Sequence, residues 1–414
     1  MSLTLITNIK QLVNIREESF LLKGKALKEL RCIENAYLII EDGIIAAYGA
    51  MQNIQHSTSN IKHKIDAKNI MVLPAWCDSH THIVFAGSRE TEFVDKIKGK
   101  TYAEIAAKGG GILNSARKLN AATEDELFEK AVIRLNELIK LGTGAIEIKS
   151  GYGLTVNAEL KMLRVIKRLK ELYKHIPVKA TFLGAHAFPE EYKQDHEAYI
   201  KLIINEMLPN IAKESLADYI DVFCEQGFFS VAEMIRICEA GAKYGLKPKL
   251  HVNQLNSIGG VEAAVKLGAV SIDHLETMTD EDVKVLADSP TIGTLLPTAA
   301  FFLRMQYQPA RQLIDNGCAV ALASDFNPGS SPSGNMNFVI ALSCIQMKML
   351  PAEAINAATI NAAYAMNVQD VVVSISIGKK ANLVFTKAIP SIDYLPYSFG
   401  SNLVDKVMIN GEFV

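Results

Sequence analysis

One alternation constrains this chain more than any other feature. Between residues 72 and 365, short apolar runs of β character alternate with longer amphipathic stretches, eight times over. The runs are 71–76, 144–148, 178–183, 219–223, 248–250, 269–272, 291–296 and 318–323. The stretches 124–141, 158–172, 195–211 and 231–244 between them carry apolar residues at three- and four-residue spacing; Leu127, Ala131, Leu135 and Ile139 form one such stripe. Eight strand–helix units predict an α/β fold, a closed parallel (β/α)8 barrel of the TIM type. A doubly wound open sheet is the rival, but no GxGxxG follows an early strand.

The two ends of the chain have a different texture. Residues 36–40 and 44–48 flank Asp42-Gly43, a tight hairpin signal. Residues 381–385 and 404–409 are again β-like, and Asn410-Gly411 repeats the turn signal. These ends predict one small domain, residues 1–71 with 366–414, beside a barrel of residues 72–365. The chain's 414 residues leave room for both.

Several classes of function are disfavoured. Lys and Arg number 43 against 45 Asp and Glu, net −2, so no basic footprint for nucleic acid exists. No apolar run approaches the ~18 residues that span a bilayer. The N-terminus lacks a basic segment followed by a long apolar one, so a cytoplasmic protein with no membrane partner is expected. The six cysteines form no CxxC pair and read as reduced core residues.

In such a barrel, chemistry collects where the strands end. The predicted ends carry, in order, His80 and His82, Glu147 and Lys149, His186, Glu225, His251, His274, Pro297 and Thr298, and Asp325. Five of the nine histidines of the chain lie at these ends. A lone histidine beside an apolar run is ordinarily a satisfied core or surface residue; five on one rim are not. Alternate residues of a strand point the same way, so His80 and His82 aim two imidazoles at one point. His251 adds a third nitrogen and Asp325 an oxygen, a set that suits zinc or non-haem iron with a position left for water.

The segment 72–82, VLPAWCDSHTH, resembles the first barrel strand of the amidohydrolase superfamily, and the terminal β segments resemble its small composite β-sandwich domain. More narrowly, HTHIVFAGSRETEF (80–93), KGKTYAEIAAKGGGI (98–112), GTGAIEIKSGYGL (142–154), FLGAHAFPEEY (182–192) and ASDFNPGSSP (323–332) resemble the imidazolonepropionase family. The resemblance covers essentially the whole chain. It implies metal-dependent hydrolysis of the ring amide of 4-imidazolone-5-propanoate to N-formimidoyl-L-glutamate in histidine breakdown. It also implies one divalent or trivalent ion per chain, Zn2+ or Fe2+/Fe3+, a small-molecule substrate with a propionate arm, and a homodimer.

The resemblance assigns roles residue by residue. His80, His82, His251 and Asp325 hold the metal. Binuclear relatives carry a carboxylated lysine at the end of the fourth strand; Cys224-Glu225 stands there instead, which implies a single ion. Lys149 lies on the second strand and reads as an ion pair with a rim carboxylate. Asp325 takes the proton of the attacking water, and His274 orients that water or stabilises the oxyanion, the reverse assignment of His251 and His274 being the alternative. Gln254 stands where deaminase relatives carry Glu; it can hydrogen-bond a carbonyl or ring N–H but is no acid, so it is assigned to binding and catalysis alike and disfavours a deaminase. Arg89 meets the propionate with its two-pronged guanidinium. Tyr102 and Tyr152 close over ring and arm, His186 binds substrate without touching the metal, and the turn of Asn327, Gly329 and Ser330 offers backbone N–H groups to a carboxylate. The run Gly109–Gly111 is either a mobile cover or a turn against the site. A catalytically silent scaffold is the remaining rival; the intact ligand set disfavours it.

Overall fold

The computed structural model describes residues 3–54, 61–100, 104 and 110–414. Two eight-stranded sheets organise the chain. The first is built from both termini. Its strands are β1 (Leu3–Val13), β2 (Cys32–Glu41), β3 (Ile44–Ala50), β4 (His63–Asp66) and β5 (Met71–Pro74), joined by late strands described below. The second is wholly parallel: β6 (Trp76–Asp78), β7 (Thr143–Lys149), β8 (Val178–Ala185), β9 (Tyr219–Cys224), β10 (Lys247–Val252), β11 (Ser271–His274), β12 (Ile292–Leu295) and β13 (Ala319–Leu322), neighbours in chain order. Past the ends of β6 and β13 the seam is joined by His82 N donating to Phe326 O (2.9 Å) and Asp325 N donating to His80 O (3.0 Å). The expected barrel is therefore present.

The chain returns to the first sheet through β14 (Leu383–Thr386), β15 (Val404–Ile409) and β16 (Glu412–Phe413). The order is β16-β15-β14-β5-β1-β2-β3, with β4 pairing β1. Both tight turns form as their sequences require. Asp42 and Gly43 adopt φ of 47° and 83°, Asn410 and Gly411 52° and 81°, the left-handed pair that matches strand twist. The two turns also meet: a Cβ on Gly43 would lie 2.5 Å from Asn410 O.

One expectation needs correcting. The run 71–76 is not a single barrel strand. Met71–Pro74 pairs with β1 and β14, and only Trp76–Asp78 enters the barrel. The switch falls at Ala75, whose N–H donates to Asn382 O while Trp76 N donates to Gly142 O. Apolar pattern alone cannot mark it, because Met71, Val72, Leu73, Ala75 and Trp76 are all buried.

The helices lie where periodicity puts them. Glu124–Lys140 opens with a capping box, Thr123 and Glu126 each accepting the other's backbone N–H, and buries Leu127, Ala131, Leu135, Leu138 and Ile139. The stretch 195–211 is helical but not uniform: His196–Leu202 runs through a π turn, Ile203–Met207, into Leu208–Glu214. The barrel thus presents eight strand ends on one face, held by helices packed around it.

Candidate active site

At this face the strand ends bring together the expected histidines. His80 Nδ1 lies 2.7 Å from Asp273 Oδ2, and His251 Nδ1 lies 2.8 Å from Asp221 Oδ2. A carboxylate only accepts, so each Nδ1 carries its hydrogen and each Nε2 is left as a bare lone pair. His80 Nε2 is 3.3 Å from His82 Nε2. Asp325 Oδ1 is 3.5 Å from the first and 3.6 Å from the second. One ligand atom each from His80, His82 and His251 fall within 4.8 Å of one another. Burial first, then neighbouring cations and imidazoles, holds all three rings well below the usual histidine pKa, so they stay neutral. Buried nitrogen lone pairs and a carboxylate converging on one point repel unless a cation lies among them, and the donor set suits zinc or iron.

His274 differs. Burial lowers its pKa, but Glu276 and then Asp325 and Asp273 raise it further, and the net shift is upward. Its Nδ1 lies 3.3 Å from Glu276 Oε1. Gln308 Nε2 donates to the same oxygen (2.8 Å). These carboxylates favour the protonated form of the ring, which donates hydrogen bonds. Asp325 is also raised from its ordinary value: burial, opposed by His274 and by hydrogen bonds from Ser330 and Asn327, brings it up to about 6.

The backbone is strained at these ends. Asn253, His274, Leu275 and Asp325 all have positive φ, 58°, 87°, 64° and 52°. Such non-glycine conformations cost about 1–3 kcal/mol each and cluster at functional sites.

The remaining predicted residues fall at graded distances. His82, Tyr152, His186, Phe223, His251, Gln254, His274, Asp325, Asn327 and Ser330 line one cavity. His186 stacks on His82 with centroids 5.7 Å apart, and its Nδ1 lies 3.0 Å from Gly151 O. Burial lowers its pKa to about 4. Tyr152 is buried against His82, and the Arg89 guanidinium sits 5.9 Å from its ring centre. Arg89 is half-buried and donates from Nε to Ser115 Oγ (2.9 Å). Tyr102 and Gly109 lie outside the described residues, while Gly111, φ 81°, precedes the helix Ile112–Ala121.

The turn after Asp325 corrects an expectation. The N–H groups of Gly329 and Ser330 both donate to Asn327 Oδ1 (2.8 Å each), so the turn's own side chain fills the anion concavity. Its residues do other work. Ser330 Oγ donates to Asp325 Oδ2 (3.1 Å), which orients the carboxylate, and Asn327 Nδ2 donates to the backbone carbonyl of Asp325 (2.6 Å). Gly329 gives Arg89 room: a Cβ there would lie 2.6 Å from Nη1. Lys149 forms the expected ion pair, with Glu147 of its own strand end, but does so fully buried inside the barrel, where it also bonds Asp221.

Sequence reasoning missed Asp221, Asp273, Glu276 and the role of Glu225. The Glu225 carboxylate accepts from Leu255 N (2.8 Å), Asn256 N (3.2 Å), Asn256 Nδ2 (3.1 Å) and Gln226 N (2.9 Å), pinning the loop that carries Gln254. A signal existed for the first: Asp221 is a single carboxylate within the otherwise apolar-rich strand 219–224, whereas Asp273 stands between Ile272 and His274 in a short polar one.

The chain belongs to the amidohydrolase family, whose profile matches residues 71–414. Among solved structures it is similar to a guanine deaminase of E. coli, with TM-score 0.74 and 13% identity over 100% of this chain and 99% of that one. It is also similar to an adenosine deaminase of Xanthomonas campestris with bound zinc, TM-score 0.71 and 14% identity over 99% and 92%. At such identity the likeness is one of fold. Sequence relatives narrow the class. The imidazolonepropionase of Christiangramia forsetii is 56% identical over 99% of both chains, and that of Clostridium tetani 46% identical over 94% of this chain and 93% of that one. Within the amidohydrolases the chain is thus a member of the imidazolonepropionase family.

Proposed function

We propose that this chain hydrolyses 4-imidazolone-5-propanoate to N-formimidoyl-L-glutamate, using one zinc or iron ion held by His80, His82, His251 and Asp325. The observation that carries the reading is the pair of tautomer-fixed histidines: Asp273 and Asp221 turn the lone pairs of His80 and His251 toward His82 and Asp325. A metal held there supplies Lewis acidity that lowers the pKa of water toward ~7.

The chain's own residues supply the rest. Asp325, with its pKa near 6, accepts the proton of the attacking water at neutral pH and returns it to the departing ring nitrogen. His274, whose protonated form the neighbouring Glu276 favours, donates from Nε2 to the oxyanion that develops on the ring carbonyl. Gln254 reads the ring through its amide, on a loop that Glu225 fixes. Arg89 binds the propionate, with Tyr152 between it and His82. His186 packs along the ring side of the cavity, with Tyr102 assigned to its cover. The full names of the relatives support this substrate, and the charge of Arg89 suits its arm.

The test is to incubate the purified protein with enzymatically prepared imidazolone propionate and follow loss of its ultraviolet absorbance, with and without a chelator. Turnover that stops on chelation and returns with zinc or ferrous ion is the expected result. Absence of turnover by metal-replete protein would refute the assignment of substrate.

A further inference from the structure

Below the histidines lies a set of charges that the mechanism does not use. Lys149, the last residue of β7, is fully buried, and its ammonium lies 2.9 Å from Glu147 Oε1, 2.9 Å from Asp221 Oδ2 and 3.5 Å from Asp273 Oδ2. The last two are the same oxygen atoms that meet His251 Nδ1 and His80 Nδ1. One ammonium therefore touches both atoms that set the tautomers and ring planes of two separate imidazoles. The second buried lysine, Lys249, is a different device. It donates to Ser271 Oγ (2.7 Å) and Ala365 O (3.1 Å) and reaches Asp273 only at 4.0 Å. Ser271 Oγ in turn donates to Asp273 Oδ1 (2.6 Å), so this carboxylate is held from both sides.

Buried like charges repel strongly where no water screens them. Asp221 and Asp273 face one another across the barrel interior through Lys149. Without a cation between them, one carboxylate would turn away from the other. That would leave a histidine Nδ1–H without its acceptor and free the ring to rotate, so that its lone pair no longer points at the common centre. Glu147 anchors the ammonium from its own strand and also accepts from Thr181 Oγ1.

We infer that Lys149 is a positioning residue for the metal ligands, a single brace that aligns His80 and His251 together through Asp273 and Asp221. This rests on the metal reading above and adds a residue to it. The rival account is that Lys149 only neutralises buried negative charge, in which case any charge-balanced replacement would serve.

The experiment uses full-length protein stripped of metal and titrated with Zn2+ alone and Co2+ alone. Wild type is expected to take up one ion, and Lys149→Met to bind about 10–100-fold more weakly, the usual effect of losing support behind a ligand, with a changed visible spectrum of bound Co2+. Glu147→Gln/Lys149→Met removes one charge of each sign and keeps the net charge of the site, which preserves folding if the single variant is unstable. It is expected to stay weak. Wild-type Zn2+ affinity and an unchanged Co2+ spectrum in either folded variant would overturn the brace, and so would full restoration in the double variant. Failure of wild type itself to bind an ion would instead overturn the metal reading.

Discussion

The barrel interior beneath the histidines holds Glu147, Lys149, Asp221, Lys249 and Asp273, all buried. The core of the terminal sheet holds Ile6, Ile9, Leu12, Leu38, Ile40, Val72, Leu383 and Phe385. One buried lysine from each region can be compared. For Lys149, burial pulls the pKa down, but Asp221, Glu147 and Asp273 outweigh it and hold the ammonium above the ordinary lysine value. Lys379, beside the sheet, donates to the hydroxyls of Ser19 and Ser374 (2.6 Å each). Burial there, aided by Arg16 and opposed by Asp370, brings the pKa down to about 8. A charged interior is costly and is found where it orients something; the apolar core contributes stability and nothing to the chemistry.

The comparison can be broken in three places. The largest effect is expected at the barrel mouth. His274→Ala should lower kcat about 10²–10⁴-fold, the usual share of a positioned acid–base group, while bound metal and melting temperature stay near wild type. Loss of the metal would make His274 a ligand and reverse its assignment with His251. On the other side, Leu12→Ala should cost about 2–5 kcal/mol in chemical denaturation with kcat per folded molecule unchanged. A matching fall in kcat would show that the sheet supports the site after all. The smallest effect concerns pH. Because the folded pKa of Lys379 lies below its unfolded value, the unfolded chain binds more protons between about pH 8 and 10.5, and this group's destabilising effect fades as pH rises through that window. The melting temperature of wild type relative to Lys379→Met should therefore rise from pH 8 to 10.5. A flat difference would show that Ser19 and Ser374 compensate the charge in full.

Much of this was legible before any coordinates. The eight apolar runs foretell the barrel, and the histidines after them the cluster at its face, because strand ends and the residues that follow them are local properties. The hairpins at Asp42-Gly43 and Asn410-Gly411 are equally local. What escaped was set by distant partners. Asp221 and Asp273 are single letters within short strands until the barrel places them under His251 and His80. The turn at 327–330 can be predicted, but not that Asn327 would take its N–H groups. The switch between sheets at Ala75 depends on Asn382, more than three hundred residues away.

That switch bears on how the chain is made. In the finished sheet β5 lies between β1 and β14, and residues Leu383–Phe385 pair with Val72–Pro74. During synthesis β5 is complete long before its partner exists. Until the last strands leave the ribosome, Met71–Pro74 is an apolar strand with one side unpaired, the kind of edge that invites association with other chains. The barrel between them must therefore be spun out while its flanking sheet waits, and the final residues act as a closing stitch whose loss would expose the first strands while leaving every histidine of the barrel mouth in the chain.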